Sequence, residues 1–272
     1  MVPVYREQLL DTERLSLEQL AAKLGERDIH LVAPDGLDVA PYLALLGRRP
    51  VHSFSPAFFA SRDTYNELLV HEPLWRLFEA YEFVLVHQTD AFVIEDQLDD
   101  WVERGWDFIG SPFWADWGAS KHLGMIGVGN GGFSLRRVEP ALRALSRARR
   151  PAARLLQHVP RTRLRALWRT RHGSLTEDRY WTEFGVLENV APVDEAVRFA
   201  FDMGLEYLAD VYATVTPFGC HYPWNLDYVL RHRRGERRGD EPEYERVIFE
   251  LMLRTGNLGP VSVQARDAGL LP

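Results

Sequence analysis

Apolar and polar positions alternate along this chain between two periods, and the order of those periods predicts the architecture. Met1-Val2-Pro3-Val4-Tyr5 reads as the end of a short first strand. Thr12 can cap a helix whose apolar positions Leu17, Leu20, Ala21 and Leu24 share one face. Ile29 to Ala33 is an apolar run ended by Pro34-Asp35-Gly36, hence a strand and a turn, and Val51 to Phe54 is a further strand. Helical spacing returns from Phe58 to Val70 and from Leu74 to Tyr81. Phe83-Val84-Leu85-Val86 is apolar on both faces, as a central parallel strand should be. A helix from Asp96 to Arg104 and a strand at Phe108-Ile109-Gly110 follow. Helices are also expected from Glu177, from Val193 to Asp202 and from Glu243 to Leu253, with a packed or frayed tail from Asn257 to Pro272. Strands alternating with helices define an α/β fold: one Rossmann-like domain with a mostly parallel central sheet flanked by helices.

Composition narrows the function. A chain of 272 residues, 46% of them apolar, can build one large α/β core or two small ones. Its net charge of −7 argues against a general nucleic-acid binder. Cys220 is the one cysteine, so no intrachain disulfide forms and a reducing compartment is expected. No run approaches the roughly eighteen apolar residues of a membrane helix, and Met1 to Leu10 has no signal pattern; a cytoplasmic protein is the expectation. Residues 140–176 stand apart, with ten arginines and no acidic residue. They read as a basic insertion in a single domain. That insertion either contacts anionic lipid or a phosphorylated acceptor, or is a solvated helical face.

Four strings carry candidate chemistry. Asp90, in Gln88-Thr89-Asp90-Ala91-Phe92, follows the strand that ends at Val86. Ligands of open parallel sheets bind beyond the carboxyl ends of strands, where a carboxylate can hold a divalent cation against a diphosphate; the plain alternative is a turn aspartate. Gly127-Val128-Gly129-Asn130-Gly131-Gly132 satisfies a dinucleotide pattern. That fingerprint requires a strand before it, a helix after it and a later acid, and none is present. The glycines either let backbone approach a bound sugar closely or form a tight turn. Glu177-Asp178 follows Thr176, a fair N-cap, so the pair serves either chemistry or a helix start. His221 lies beside Cys220, which is too few ligands for zinc by itself, and a histidine among aromatics is often a core group. Phe113-Trp114-Ala115-Asp116-Trp117 offers either a sugar-packing platform or a filled core edge.

In this order the strings resemble the GT-A fold of nucleotide-sugar-dependent glycosyltransferases. They look like a family of glycosyltransferase-like domains that shares Gln-x-Asp-Ala, Gly-Asn-Gly-Gly-Phe-Ser-x-Arg, a Glu-Asp helix start and Phe-Gly-x-His. The likeness runs from about Pro3 to about Trp224 and includes Tyr65-Asn66-Glu67-Leu68, Trp101 and Ile109-Gly110-Ser111-Pro112. It implies that Asp90 and His221 hold a cation, Mn²⁺ or Mg²⁺, and the donor diphosphate. Gln88 stands where many GT-A enzymes carry the first acid of Asp-x-Asp. Pro3, Val4, Tyr5, Asp35, Gln88 and Thr89 would face the nucleotide-sugar donor. Gly129, Asn130, Gly131 and Gly132 would line the donor–acceptor junction. Asp178 would be the general base of an inverting transfer. Trp114, Trp117 and Glu177 would lie on the side of the acceptor, a glycan, lipid-linked or other hydroxyl. The rival is a non-catalytic nucleotide-sugar or glycan-binding domain of the same shape.

Overall fold

The structure is a computed structural model that describes residues 1–114, 125–148, 176–183, 186–235 and 243–257. Three strands, β1 (Val2–Pro3), β2 (Leu31–Pro34) and β3 (Val51–Phe54), pair in parallel in the order β1-β2-β3. Beside β1 lies β4 (Phe83–His87): the Met1 amine donates to Leu85 O at 2.9 Å, and His87 N donates to Met1 O at 3.0 Å. That exchange is a parallel ladder. Antiparallel to β4 runs β9 (Phe133–Arg137), and antiparallel to β9 runs β6 (Phe108–Gly110). The order is therefore β3-β2-β1-β4-β9-β6, with β9 alone reversed, and the mostly parallel sheet expected from the sequence is present.

A smaller sheet places β11 (Gly219–His221) between β10 (Ala200–Phe201), parallel to it, and β5 (Ala91–Val93), antiparallel. A short antiparallel pair joins β7 (Pro112–Trp114) to β8 (Met125–Val128). Helix α1 (Asp11–Leu24) packs Leu17, Leu20 and Leu24 into the core beside β1 and β2. Helices α2 (Ala40–Leu46), α3 (Arg62–Leu69), α4 (Glu72–Arg76), α5 (Leu98–Glu103) and α6 (Val138–Ala148) follow in sequence. Beyond them come α7 (Glu177–Glu183), α8 (Val193–Phe199), α9 (Ala209–Thr214), α10 (Pro223–Arg233) and α11 (Glu243–Arg254).

Several expected boundaries shift for local reasons. Helix α1 begins at Asp11, so Leu10 is its N-cap and Thr12 is inside it; Glu13 Oε2 reaches back to accept from Leu10 N at 2.8 Å. The continuous helix expected from Phe58 to Val70 is two pieces, a 3-10 turn at Pro56–Phe59 and α3. Ser61 caps the second: its Oγ accepts from Thr64 N at 3.2 Å while Thr64 Oγ1 accepts from Ser61 N at 3.0 Å. The helix expected to run to Asp202 ends at Phe199, and β10 takes its last turn. Most of the arginine-rich stretch lies outside the described residues, as do Trp117 and the tail after Asn257.

The core ties the two sheets together. The rings of Phe133, Phe199 and Phe218, each fully buried, meet at 5.1 to 5.6 Å between centroids. Burying such a ring stabilises by roughly 1.5–3 kcal/mol. Since Phe133 opens β9 and Phe218 precedes β11, this cluster fixes the distance between the two strand ends that carry the site.

Candidate functional site

Strand register brings the four strings together. His87 pairs with Phe133 across β4 and β9, so the residues just beyond each meet: Gln88 N donates to Gly132 O at 2.8 Å. His221 pairs with Ala91 across β11 and β5, and Tyr222 N donates to Asp90 O at 3.0 Å. These contacts set Asp90 beside His221 at the carboxyl end of β4. The Glu177-Asp178 start of α7 arrives from the other side, carried by Trp181, which is fully buried and packs against Trp75 at 5.8 Å.

Together they line a cavity of about 420 Å³. Its walls include Pro3 and Tyr5 at and after the end of β1, Phe59, Ser61, Arg62, Tyr65 and Asn66 around the start of α3, Gln88-Thr89-Asp90, Phe113, Asn130-Gly131-Gly132, Thr176-Glu177-Asp178, Asp202 and His221. Of the residues expected at the site, Val4 is instead part of the hydrophobic core, and Asp35 is exposed at the end of β2 and outside the cavity walls. Gly129 is outside the walls as well, beneath the Phe113 ring. Trp114 closes β7.

At the centre, His221 Nε2 is 3.1 Å from Asp90 Oδ1 and 3.2 Å from Gln88 Oε1. The Gln88 amide donates to Tyr65 Oη at 3.2 Å, which orients its oxygen toward His221. On the far side of the ring, Nδ1 faces Asp202 Oδ1 at 3.8 Å, and both atoms are buried without a hydrogen-bond partner. Asp202 is held by a hydrogen bond from Asn130, which adopts φ 46° and whose Oδ1 accepts from Gly132 N at 3.2 Å. Burial opposes protonation of His221, but the carboxylates of Asp90 and Asp202 outweigh it and raise its pKa to about 8. Burial would raise Asp90, yet the neighbouring imidazole brings it below the usual carboxylate range. For Asp202 burial wins, and its pKa rises to about 6.

Asp178 is only partly buried. One carboxylate oxygen accepts from Gly131 N at 3.3 Å; the other accepts from the Thr176 hydroxyl and, at 2.8 Å, from Arg179 N. Glu177, expected on the acceptor side, lines the cavity and also pairs with Arg136: the guanidinium meets both carboxylate oxygens at 2.7 and 2.9 Å, and both side chains are buried. Thr89 lines the cavity, but its hydroxyl donates to Glu13 Oε1 at 3.0 Å.

The glycines have a local purpose. A Cβ on Gly132 would sit 2.1 Å from His221 Nε2, and one on Gly131 would sit 1.9 Å from Glu177 Oε1. The backbone is thin there so that side chains of this chain can approach, rather than in the first instance a sugar.

Asp202 escaped the sequence reading because it stood at the end of an expected helix. As the residue just beyond β10, it obeys the same rule that singled out Asp90: acids at the carboxyl ends of strands face the ligand cleft. Tyr65 and Asn66 were visible as a string, though not as walls of the site.

The sheet order and the cleft at its carboxyl edge define a GT-A fold, the fold of a large class of glycosyltransferases. Among solved structures, the galactosyltransferase LgtC in complex with donor and acceptor sugar analogs superposes with a TM-score of 0.51 at 16% identity, over 98% of each chain. Mouse xyloside xylosyltransferase 1, in its apo form, gives 0.49 at 12% identity, over 83% of this chain and 97% of that one. The chain belongs to the family described as "Protein of unknown function (DUF5672)", whose model matches residues 48–221. No curated protein matches the chain.

Proposed function

We propose that this protein is a glycosyltransferase that moves a sugar from a nucleotide-sugar donor to an acceptor hydroxyl, with inversion at the anomeric carbon. The observation that supports it is the convergence of Asp90, His221 and Asp178, from three distant segments, on one cavity beyond the carboxyl ends of the strands. Pro3 and Tyr5 would contact the nucleotide, Gln88 and Asp90 the diphosphate side, and Asn130 to Gly132 the junction with the acceptor.

The donor atoms suit a divalent cation in part. Asp90 Oδ1 and Gln88 Oε1 lie 3.1 and 3.2 Å from His221 Nε2, so these three side chains would hold the ion. Among the described residues no three His, Cys, Asp or Glu side chains gather around one point, so a diphosphate would have to complete the shell. Oxygen donors with one imidazole fit Mn²⁺ or Mg²⁺. Bound there, such an ion would supply charge neutralisation at the leaving diphosphate. Asp202 would hold the imidazole from behind, as carboxylates commonly do for metal-bound histidines.

Asp178 would accept the proton of the attacking hydroxyl. Its partly buried carboxylate, fixed by Gly131 N and Thr176, lines the cavity. A base on the face opposite the leaving group implies one in-line displacement. A thermal-shift series with UDP-, GDP- and dTDP-sugars tests binding by linkage; stabilisation by one donor, stronger with Mn²⁺, is expected. NMR of the product should then show the inverted anomer, and a retained anomer would remove Asp178 from the role of base.

Gln88 favours a second reading, a nucleotide-sugar-binding domain without catalysis, because it is neutral where a carboxylate would strengthen cation binding. Donor stabilisation without any release of nucleoside diphosphate would select it.

A further inference from the structure

We infer that Arg136 and Glu177 form a buried strut that locks the glycine loop to the start of α7 and thereby positions Asp178. The inference rests on the transferase reading of Asp178. One guanidinium reaches four acceptors: both oxygens of Glu177, Ser134 Oγ at 2.9 Å and Gly131 O at 3.2 Å. Gly131 is the pivot. Its carbonyl accepts from Arg136, and its N–H donates to Asp178. At the head of α7, Asn66 Oδ1 accepts from Glu177 N at 3.3 Å, which adds the α3 wall. The guanidinium lies against two aromatic rings, 4.9 Å from the Phe108 centroid and 5.9 Å from that of Trp75.

Stability alone does not explain the pair. Removing two charges from water offsets most of their attraction, and a buried ion pair can often be replaced by apolar side chains with little loss. What apolar residues cannot supply is a fork that holds a carboxylate and a loop carbonyl in one plane. The strut also gives a structural role to the arginine that ends Gly-Asn-Gly-Gly-Phe-Ser-Leu-Arg and to the glutamate before Asp178. Arg136 and Glu177 are positioning residues; nothing requires either to touch substrate.

The test is the double variant Arg136→Met/Glu177→Leu, with Glu177→Gln as the milder change if the double variant does not fold. A melting temperature close to wild type is expected, with nucleoside diphosphate affinity in Mn²⁺ within about threefold. Amide exchange in a peptide spanning 127–136 should rise at least tenfold, since the loop loses its anchor. Donor turnover should fall about 10- to 100-fold in kcat with KM nearly unchanged. Wild-type exchange and kcat within threefold of wild type, in a folded variant, would overturn the strut. Should the wild-type protein turn over no donor, the exchange measurement decides the strut alone, and the missing turnover counts against the transferase reading instead.

Discussion

Gln88 and Gly132 show how single residues tune the centre of the site. The Gln88 amide bridges Tyr65 and His221, so its oxygen is held beside the imidazole without adding charge. A unit charge about 4 Å from an ion is worth roughly 4 kcal/mol at a surface-like effective dielectric. Gln88→Glu keeps the shape and adds that charge, so Mn²⁺ affinity should rise at least tenfold in an electron paramagnetic resonance titration. Unchanged affinity would mean that the ion does not sit beside residue 88. Gly132 admits no side chain: the Cβ of Gly132→Ala would meet the His221 ring at 2.1 to 2.7 Å. The ring must turn away from Asp90, so calorimetry should show Mn²⁺-dependent nucleotide binding weakened by tenfold or more while the fold survives. Binding at the wild-type level would show that His221 is dispensable for it.

At the scale of elements, the sequence was most legible where periodicity and chemistry agreed. The strands at 51–54, 83–86 and 108–110 were visible because β-rich apolar runs ended at clear turns. The convergence of Asp90, Asp178 and His221 was legible through ordered motifs, yet its cause was not. It comes from register: β9 runs antiparallel to β4, and β11 antiparallel to β5, and those pairings are non-local facts. The reversed direction of β9 is hidden because a short strand's residue pattern reads the same in either sense. Asp202 was lost to a helix that stops early, a boundary set by the pairing of β10 with β11 rather than by propensity. The pairing of Glu177 with Arg136 is not legible because the two lie 41 residues apart. The arginine stretch was conspicuous in composition, but composition alone could not choose between lipid, phosphorylated acceptor and solvent.

Across the whole molecule, one buried group should link stability to pH. His87, at the end of β4, is 1% exposed; both ring nitrogens lack partners, and its ring packs against Phe133. Burial depresses its pKa from 6.5 to about 3. The folded state therefore keeps His87 neutral while the unfolded chain takes up a proton below about pH 6.5. Stability associated with the neutral ring is complete above that pH and is lost progressively as pH falls toward 3. At pH 5 the loss is on the order of 2 kcal/mol. The raised pKa values of His221 and Asp202 act in the opposite sense over this range, so the readout is a difference: between pH 7 and pH 5, chemical denaturation should show His87→Leu faring better than the wild type by about 2 kcal/mol, and equal changes would show that the ring is not held neutral.

The cleft is the place where residue, register and fold meet, and turnover is its most direct readout. Release of nucleoside diphosphate should be followed from a panel of UDP-, GDP- and dTDP-sugars with Mn²⁺. At least one donor is expected to be consumed. Asp90→Ala should abolish the release, and Asp178→Asn should slow acceptor-dependent transfer by about 10²- to 10⁴-fold with donor affinity retained. A folded protein that consumes no donor, or that works equally well without Asp90 and Asp178, would contradict the transferase assignment.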